Sequence, residues 1–275
     1  MQGLSDGFGS PFCQKERHMN QNERLLFLIQ HLKNESIRYS AVQIPSSINE
    51  QFRLFRSLAN IRLPEPVSED FLKVQDAYLQ EETARKGITD IADLQPFFRN
   101  IYLWKGDITT LKCDAIVNAA NSQMLGCFQP CHGCIDNAIH TFAGVQLRLK
   151  CAEVMRNQGY EEPTGQAKIT SAYNLPCDYV IHTVGPIVQG KLTKKHCELL
   201  ERCYRSCLEI AVQNKIESIA FCCISTGVFG FPQKEAAEIA VRTVQNFQKS
   251  HEIKVIFNVF KESDDEIYRQ LLGQC

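Results

Sequence analysis

The stretch "LGCFQPCHGCIDNAIH", from Leu125 to His140, sets Cys127, Cys131 and Cys134 around His132 in a loop broken by Gly126, Pro130 and Gly133. Thiolate sulfur and imidazole nitrogen are donors that zinc takes, at about 2.3 Å and about 2.0–2.1 Å in near-tetrahedral geometry. A loop this short can bend three ligands onto one ion. Cys131 and His132 are adjacent, and neighbouring side chains diverge along an extended chain, so the two are not expected to bind together. A structural zinc closes with four protein ligands, often two from each of two segments. No second Cys or His cluster stands elsewhere in the chain.

Three further segments carry groups suited to a ligand. Asp107, in "KGDIT", ends an apolar run where a buried acceptor could select an amine. Asn118 and Asn121, in "NAAN", stand three apart and offer donors and acceptors together. Ser225 to Pro232, "STGVFGFP", holds Gly227 and Gly230 before a proline that starts a helix. Small residues there let backbone amides approach a diphosphate, and a helix N-terminus favours the anion. Each has a plainer reading: Asn and Asp stabilise turns, Gly serves many strand-to-helix turns, and Asp136 could simply cap the helix of "CIDNAIH". His140, one turn further on, reads as core packing.

The elements that must position these loops follow from periodicity. "IYLWKGDIT", "DAIVNAAN", "QAKITSAY", "DYVIHTVG", "SIAFCCIST" and "KVIFNVF" are short runs rich in β-branched and aromatic residues, separated by helix-like stretches near 135–157, 194–214 and 233–249. That alternation predicts an α/β domain with helices on both faces of a parallel or mixed sheet, and ligands at the carboxyl ends of its strands. Before it, "NERLLFLIQHLKNE" places Leu25, Leu26, Ile29 and Leu32 on one helical face. A second helix is expected after Pro45, with Phe52, Leu54, Phe55 and Leu58. A third starts at Ser68 and stops at Gly87. Residues 1–18 lack periodicity and read as a loose tail, with Met19 available as an alternative start and no role for Cys13 or His18.

The chain has 275 residues, enough for a sizeable core, and 30 basic against 31 acidic side chains, so no basic footprint for nucleic acid is expected. No leader pattern or membrane-length apolar run stands out, and the expected location is the cytosol. Thirteen cysteines, an odd number, are then thiols rather than a disulfide framework. Cys203, Cys207, Cys222 and Cys223 fall in apolar stretches and read as core.

"KGDITTLKCDAIVNAANS", "CIDNAIHTFAG", "IHTVGP" and "ISTGVFGFP", in this order and spacing, resemble the macrodomain family, which binds ADP-ribose. Where most of that family has a glycine run after "NAAN", this chain has "GCFQPCHGC", similar to the branch of zinc-containing macrodomains that act as protein ADP-ribosyl hydrolases and carry a helical N-terminal extension. The resemblance implies a three-layer α/β macrodomain over 99–275, its mixed central sheet flanked by helices, preceded by a helical extension over 19–98. It implies Asp107 at the adenine amine and Ile108 against the ring. Asn118 and Asn121 fall by the distal ribose, Ser225, Thr226, Gly227, Val228 and Phe229 around the diphosphate and that ribose, and Asp136 at the family's helix-starting aspartate. The pattern C-x4-H-x-C selects Cys127, His132 and Cys134 for Zn2+ and leaves Cys131 aside.

Three protein ligands leave a position for water or substrate, the arrangement of a catalytic ion, although an ion that merely braces the loop is the competing reading. The expected reaction is zinc-dependent removal of mono-ADP-ribose from protein side chains through aspartyl or glutamyl esters, with Asn118, Asn121 and Asp136 orienting the reactants. A reader module with a structural zinc and no hydrolysis is the alternative, and an interaction scaffold with a vestigial pocket is a third. For bacterial members the resemblance points to a lipoyl-carrier protein as the modified partner. The helical extension reads first as a cap packed on the domain, and second as a wall of the cleft mouth.

Overall fold

The computed structural model describes residues 19–273, so the tail expected over 1–18 lies outside the described residues. Four helices come first: α1 (Gln21–Asn34), a short α2 (Ile37–Ser40), α3 (Ile48–Ile61) and α4 (Glu69–Lys86). Asn20 and Glu23 close a capping box at the start of α1. Leu25, Leu28, Ile29 and Leu32 recur at helical spacing and are buried, each contributing about 2 kcal/mol by leaving water. Ser68 accepts from the Phe71 amide at the start of α4, and Gly87, at φ 90°, ends it.

The strands are β1 (Thr89–Asp90), β2 (Ile101–Lys105), β3 (Leu111–Lys112), β4 (Ala115–Ala120), β5 (Ala167–Ser171), β6 (Tyr179–Val184), β7 (Ser218–Phe221) and β8 (Lys254–Val259). Six of them form one sheet in the order β2-β8-β7-β4-β6-β5, and β1 pairs with β3 apart from it. Within the sheet only β5 runs antiparallel, against β6. All six apolar runs read as strands are therefore found in one mixed sheet. Because β2, β8, β7 and β4 share a direction, the loops leaving their carboxyl ends open on one side of the molecule.

Helices α5 (Ile135–Ala143), α6 (Val145–Gln158), α7 (Lys194–Gln213), α8 (Gln233–Phe247) and α9 (Glu262–Leu272) cover the sheet. The stretch read as one helix over 135–157 is two. Gly144 breaks it at φ 92°, where a Cβ would come within 2.6 Å of the Gln75 and Gln146 side chains. The pair β1–β3, helix α2 and helix α9 were not anticipated, the first two being too short to show a period. The apolar core runs unbroken from Leu25 in α1 through Phe55 and Phe71 to Phe257 in β8 and Tyr268 in α9. Among the described residues no helix is long and apolar enough to cross a membrane.

Candidate active site

A cleft of about 1130 Å³ opens where these loops meet, and Asp107, Asn121, Cys127, His132, Cys134, Asp136 and Ser225–Phe229 are on its walls. One ligand atom from each of Cys127, His132 and Cys134 lies within 4.8 Å of the others, and no fourth side chain joins them among the described residues. Cys127 Sγ and His132 Nδ1 are 3.7 Å apart. A sulfur and a nitrogen bound tetrahedrally to one zinc would be roughly 3.6 Å apart, so spacing and donor chemistry both fit that ion. Cys131, at φ 51°, turns its thiol away, toward the Arg53 carbonyl (3.3 Å) and the Ser57 hydroxyl (3.2 Å) of α3.

The loop is held from behind. Asn137, fully buried, donates to the carbonyls of Cys127 (3.3 Å) and Gln129 (2.9 Å) and accepts from Arg56 Nη2 at 2.7 Å. Arg56 also donates to the His132 carbonyl at 2.9 Å, and Asn60 Oδ1 accepts from the Cys131 amide at 2.9 Å. Arg148 of α6 donates to Leu125 O at 2.7 Å and to the carbonyls of Ala59, Asn60 and Arg62 at 2.6–3.0 Å, bolting the end of α3 to the loop. The N-cap of α5 is Cys134, whose sulfur accepts from the Asn137 amide at 3.4 Å. Burial pushes the Cys134 thiol up to about 12, against the opposing Asn137 N–H, and Asp136 falls within the first turn instead of capping it.

Asp136 rests on a buried polar floor. Its Oδ1 accepts from Asn118 Nδ2 at 2.8 Å and its Oδ2 from Asn121 Nδ2 at 3.4 Å. Burial pushes its carboxyl up to about 6, against the opposing pull of the Asn118 N–H and of Arg148. Asn118 is fully buried on β4, directly across from His182 on β6, and its Nδ2 also lies 3.1 Å from His182 Nδ1. Since that nitrogen donates to Asp136, it donates to His182 too, and Nδ1 must be an acceptor. The His182 proton is then on Nε2, facing the Thr170 hydroxyl at 3.0 Å.

The tautomer decides a second question. Folding brings His140, Cys151 and His182 within 4.8 Å of one another, a cluster invisible along the chain because its members come from three elements. A protonated Nε2 offers no lone pair to a cation, so His182, bonded in this way, is not set up as a ligand. Burial holds His182 down at about 3 and His140 well below the usual imidazole range, so both are neutral. His140 Nε2 is 3.6 Å from Asp136, beyond hydrogen-bond reach, and neither of its ring nitrogens has a partner.

At the other end Asp107 caps a turn of 3-10 helix, Ile108–Thr110, accepting from the Thr109 amide (3.0 Å) and hydroxyl (2.6 Å). Burial would raise its carboxyl, but the Thr109 hydrogen bonds and the Lys86 ammonium outweigh it and hold the group below the usual carboxylate range. Ile108, although on the cleft wall, is almost wholly buried. Between the two ends runs the loop after β7. Ser225, at φ 66°, accepts at its carbonyl from Phe231 N (3.0 Å), and Gly227 O accepts from Gly230 N (3.0 Å). The amides of Gly227, Val228 and Phe229 donate to nothing within the described chain, so they are available to an anion.

Residues 117–240 match the Macro domain family. The chain is 57% identical to the protein-ADP-ribose hydrolase of Treponema medium over 93% of its own length and 100% of that protein. The chain belongs to the macrodomain family. The protein-ADP-ribose hydrolase of Staphylococcus aureus strain MRSA252 is 53% identical over 91% of this chain and 96% of its own length. Among solved structures, the Trypanosoma brucei macrodomain in complex with ADP-ribose is 29% identical, with a TM-score of 0.59 over 97% of each chain. The Oceanobacillus iheyensis macrodomain with ADP is 41% identical, with a TM-score of 0.59 over 63% of this chain and 90% of that one.

Of the residues expected at the site, this macrodomain brings all but Asn118 to the cleft wall. Asn118 lies beneath it, where it supports Asp136. Phe52, Arg56 and Lys86 of the extension also line the cleft, so the extension is more than a cap. Nothing in their helical periodicity marked them. Asn137 and Arg148 were likewise missed, the only hint being a buried-face position occupied by a polar residue.

Proposed function

We propose that this macrodomain removes mono-ADP-ribose from aspartyl or glutamyl side chains, with a zinc ion on Cys127, His132 and Cys134 serving the reaction. At 57% identity across the whole of the Treponema medium enzyme, the chain is a protein-ADP-ribose hydrolase, and the reader and scaffold alternatives give way. The observation that carries the zinc reading is that two thiols and an imidazole, close enough for one ion, share a cleft wall with Asp136 and Asn121.

ADP-ribose on a carboxylate is an ester at the anomeric carbon of the distal ribose, and its cleavage needs a water and a departing carboxylate. Cys127, His132 and Cys134 would hold a zinc ion, which would supply Lewis acidity beside Asp136. The chain's own residues orient what reacts. Asp136, raised toward neutrality, presents a carboxylate to a ribose hydroxyl or a water, and Asn118 and Asn121 fix its two oxygens. The free amides of Gly227–Phe229 take the diphosphate, and Asp107 accepts from the adenine amine. The cytosol, where thiols stay reduced, is the compartment this chemistry suits, and the resemblance in sequence suggests a lipoyl-carrier protein as the modified partner.

The test combines metal analysis with release of ADP-ribose from an aspartyl- or glutamyl-modified protein, with and without chelator. About one zinc per chain and chelator-sensitive release are expected. A folded, zinc-free protein with near-normal turnover would remove the metal from the reaction and leave the hydrolase. Failure to release from carboxylate esters, with release from another linkage, would overturn the ester assignment alone.

A further inference from the structure

Lys86 is the last residue of α4, and the chain beyond it is tied at once to the purine end of the cleft. After Gly87, Thr89 and Asp90 pair in parallel with Leu111 and Lys112, which directly follow the turn Ile108–Thr110 that Asp107 caps. Lys86 Nζ lies 3.0 Å from Asp107 Oδ2 and 3.3 Å from the centre of the Phe142 ring. All three of these side chains are on the cleft wall.

The carboxylate of Asp107 is thereby fixed in plane and in charge. One oxygen takes the amide and hydroxyl of Thr109, and the other takes the ammonium. A carboxylate oxygen has two acceptor directions, so Oδ2 keeps one, and the side chain is 40% exposed. The ion pair itself does little for folding, because a half-exposed pair is worth about 0–1 kcal/mol. The cation also offsets the repulsion between Asp107 and a diphosphate in the same cleft.

We propose that Lys86, supplied by the helical extension, is a specificity-determining residue for the nucleobase: it holds Asp107 as an acceptor that admits a 6-amino purine and disfavours a 6-oxo purine. This rests on the reading of the cleft as an ADP-ribose site with Asp107 at the purine. A purine carrying oxygen at that position would set acceptor against acceptor, and a site built to receive a hydrogen bond rejects a ligand that cannot give one. Lys86 acts through Asp107, as a positioning residue, with Phe142 limiting where the ammonium can go.

Calorimetry of the full chain with ADP-ribose and with its hypoxanthine counterpart tests this. The native protein should prefer ADP-ribose by at least about 10-fold, and Lys86→Met should weaken ADP-ribose by roughly 10-fold while weakening the hypoxanthine form less, so that the ratio shrinks. Thermal unfolding of the ligand-free variant reports on its fold. A ratio that stays the same, or widens, in Lys86→Met overturns the proposal while leaving the ADP-ribose site intact. No preference in the native protein overturns it together with the placing of Asp107 at the purine, and no binding of either ligand overturns the reading of the cleft.

Discussion

The loop from Leu125 to Cys134 and the loop from Ser225 to Phe231 face the same cleft and are held in contrasting ways. Carbonyls of the first are gripped by side chains from elsewhere: Asn137, Arg148, and Arg56 from the extension. The second closes on itself through backbone bonds, with one more from Val188 N to Phe229 O at 2.8 Å. The difference follows from which part of each loop meets the ligand. A loop that offers thiols and an imidazole must turn those side chains inward, so its backbone is supported from outside. A loop that offers amides has to leave them unpaired, and a few internal turns can shape it without consuming them.

Breaking the first loop at its donors should have the largest effect. Cys127→Ala or His132→Ala is expected to lower turnover on the order of 100- to 1000-fold, the usual cost of an oriented electrostatic stabiliser, while the protein remains folded. Metal content and ADP-ribose release measured on the same sample check this, and a full loss of zinc with turnover intact would leave the ion as a brace. Removing the support is next. Arg148→Met strips four carbonyls of a donor, two of them buried, and should cost about 3 kcal/mol in urea unfolding, since each buried orphaned group costs about 1–3 kcal/mol and water reaches the part-buried pair. A cost below about 1 kcal/mol would mean that the loop supports itself after all.

That contrast also explains what could be read along the chain. All six sheet strands were legible because each is a short apolar run of β-branched and aromatic residues, and the Ser225–Phe229 loop was legible because its glycines and unpaired amides lie in one short segment. Cys127, His132 and Cys134 were visible as a cluster since they fall within eight residues. Arg56, Lys86 and Arg148 were not, because each acts on a partner far along the chain: Arg56 and the Asn137 it binds are 81 residues apart. The position of Asn118 beneath the wall was hidden for a related reason. Strand alternation puts it under the cleft wall, against His182, and only the register of β4 on β6 reveals the pairing.

The polar floor beneath the Leu125–Cys134 loop couples folding to pH, which gives the comparison a pH axis. His182 and His140 are held below the ordinary imidazole pKa of about 6.5, so the unfolded chain takes up protons that the folded one refuses. Stability is therefore complete above about pH 6.5 and falls as pH drops, by about 1.4 kcal/mol per unit for each histidine. Asp136 has the opposite sign, its carboxyl raised to about 6, and returns part of this between about pH 6 and 4. The net expectation is a loss of stability as pH falls through that window, read by urea unfolding. His182→Gln should flatten it, and an unchanged slope would mean that His182 is not buried in its neutral form.

The smallest effect is expected where the second loop is disturbed through its own backbone. Gly230 has φ 69°, and a Cβ there would sit 3.0 Å from the Val188 carbonyl oxygen. Gly230→Ala thus meets both a left-handed conformation that L residues adopt at a cost and a fixed backbone acceptor, which together should destabilise by about 1–2 kcal/mol. Because Gly230 N also closes the turn onto Gly227 O, the strain falls on the amides of Gly227, Val228 and Phe229. ADP-ribose affinity should accordingly drop several-fold while the zinc content stays at its native level. If the variant lost zinc as readily as it lost affinity, the two loops would be mechanically one unit, and the division between a side-chain site supported from outside and an amide site that supports itself would not hold.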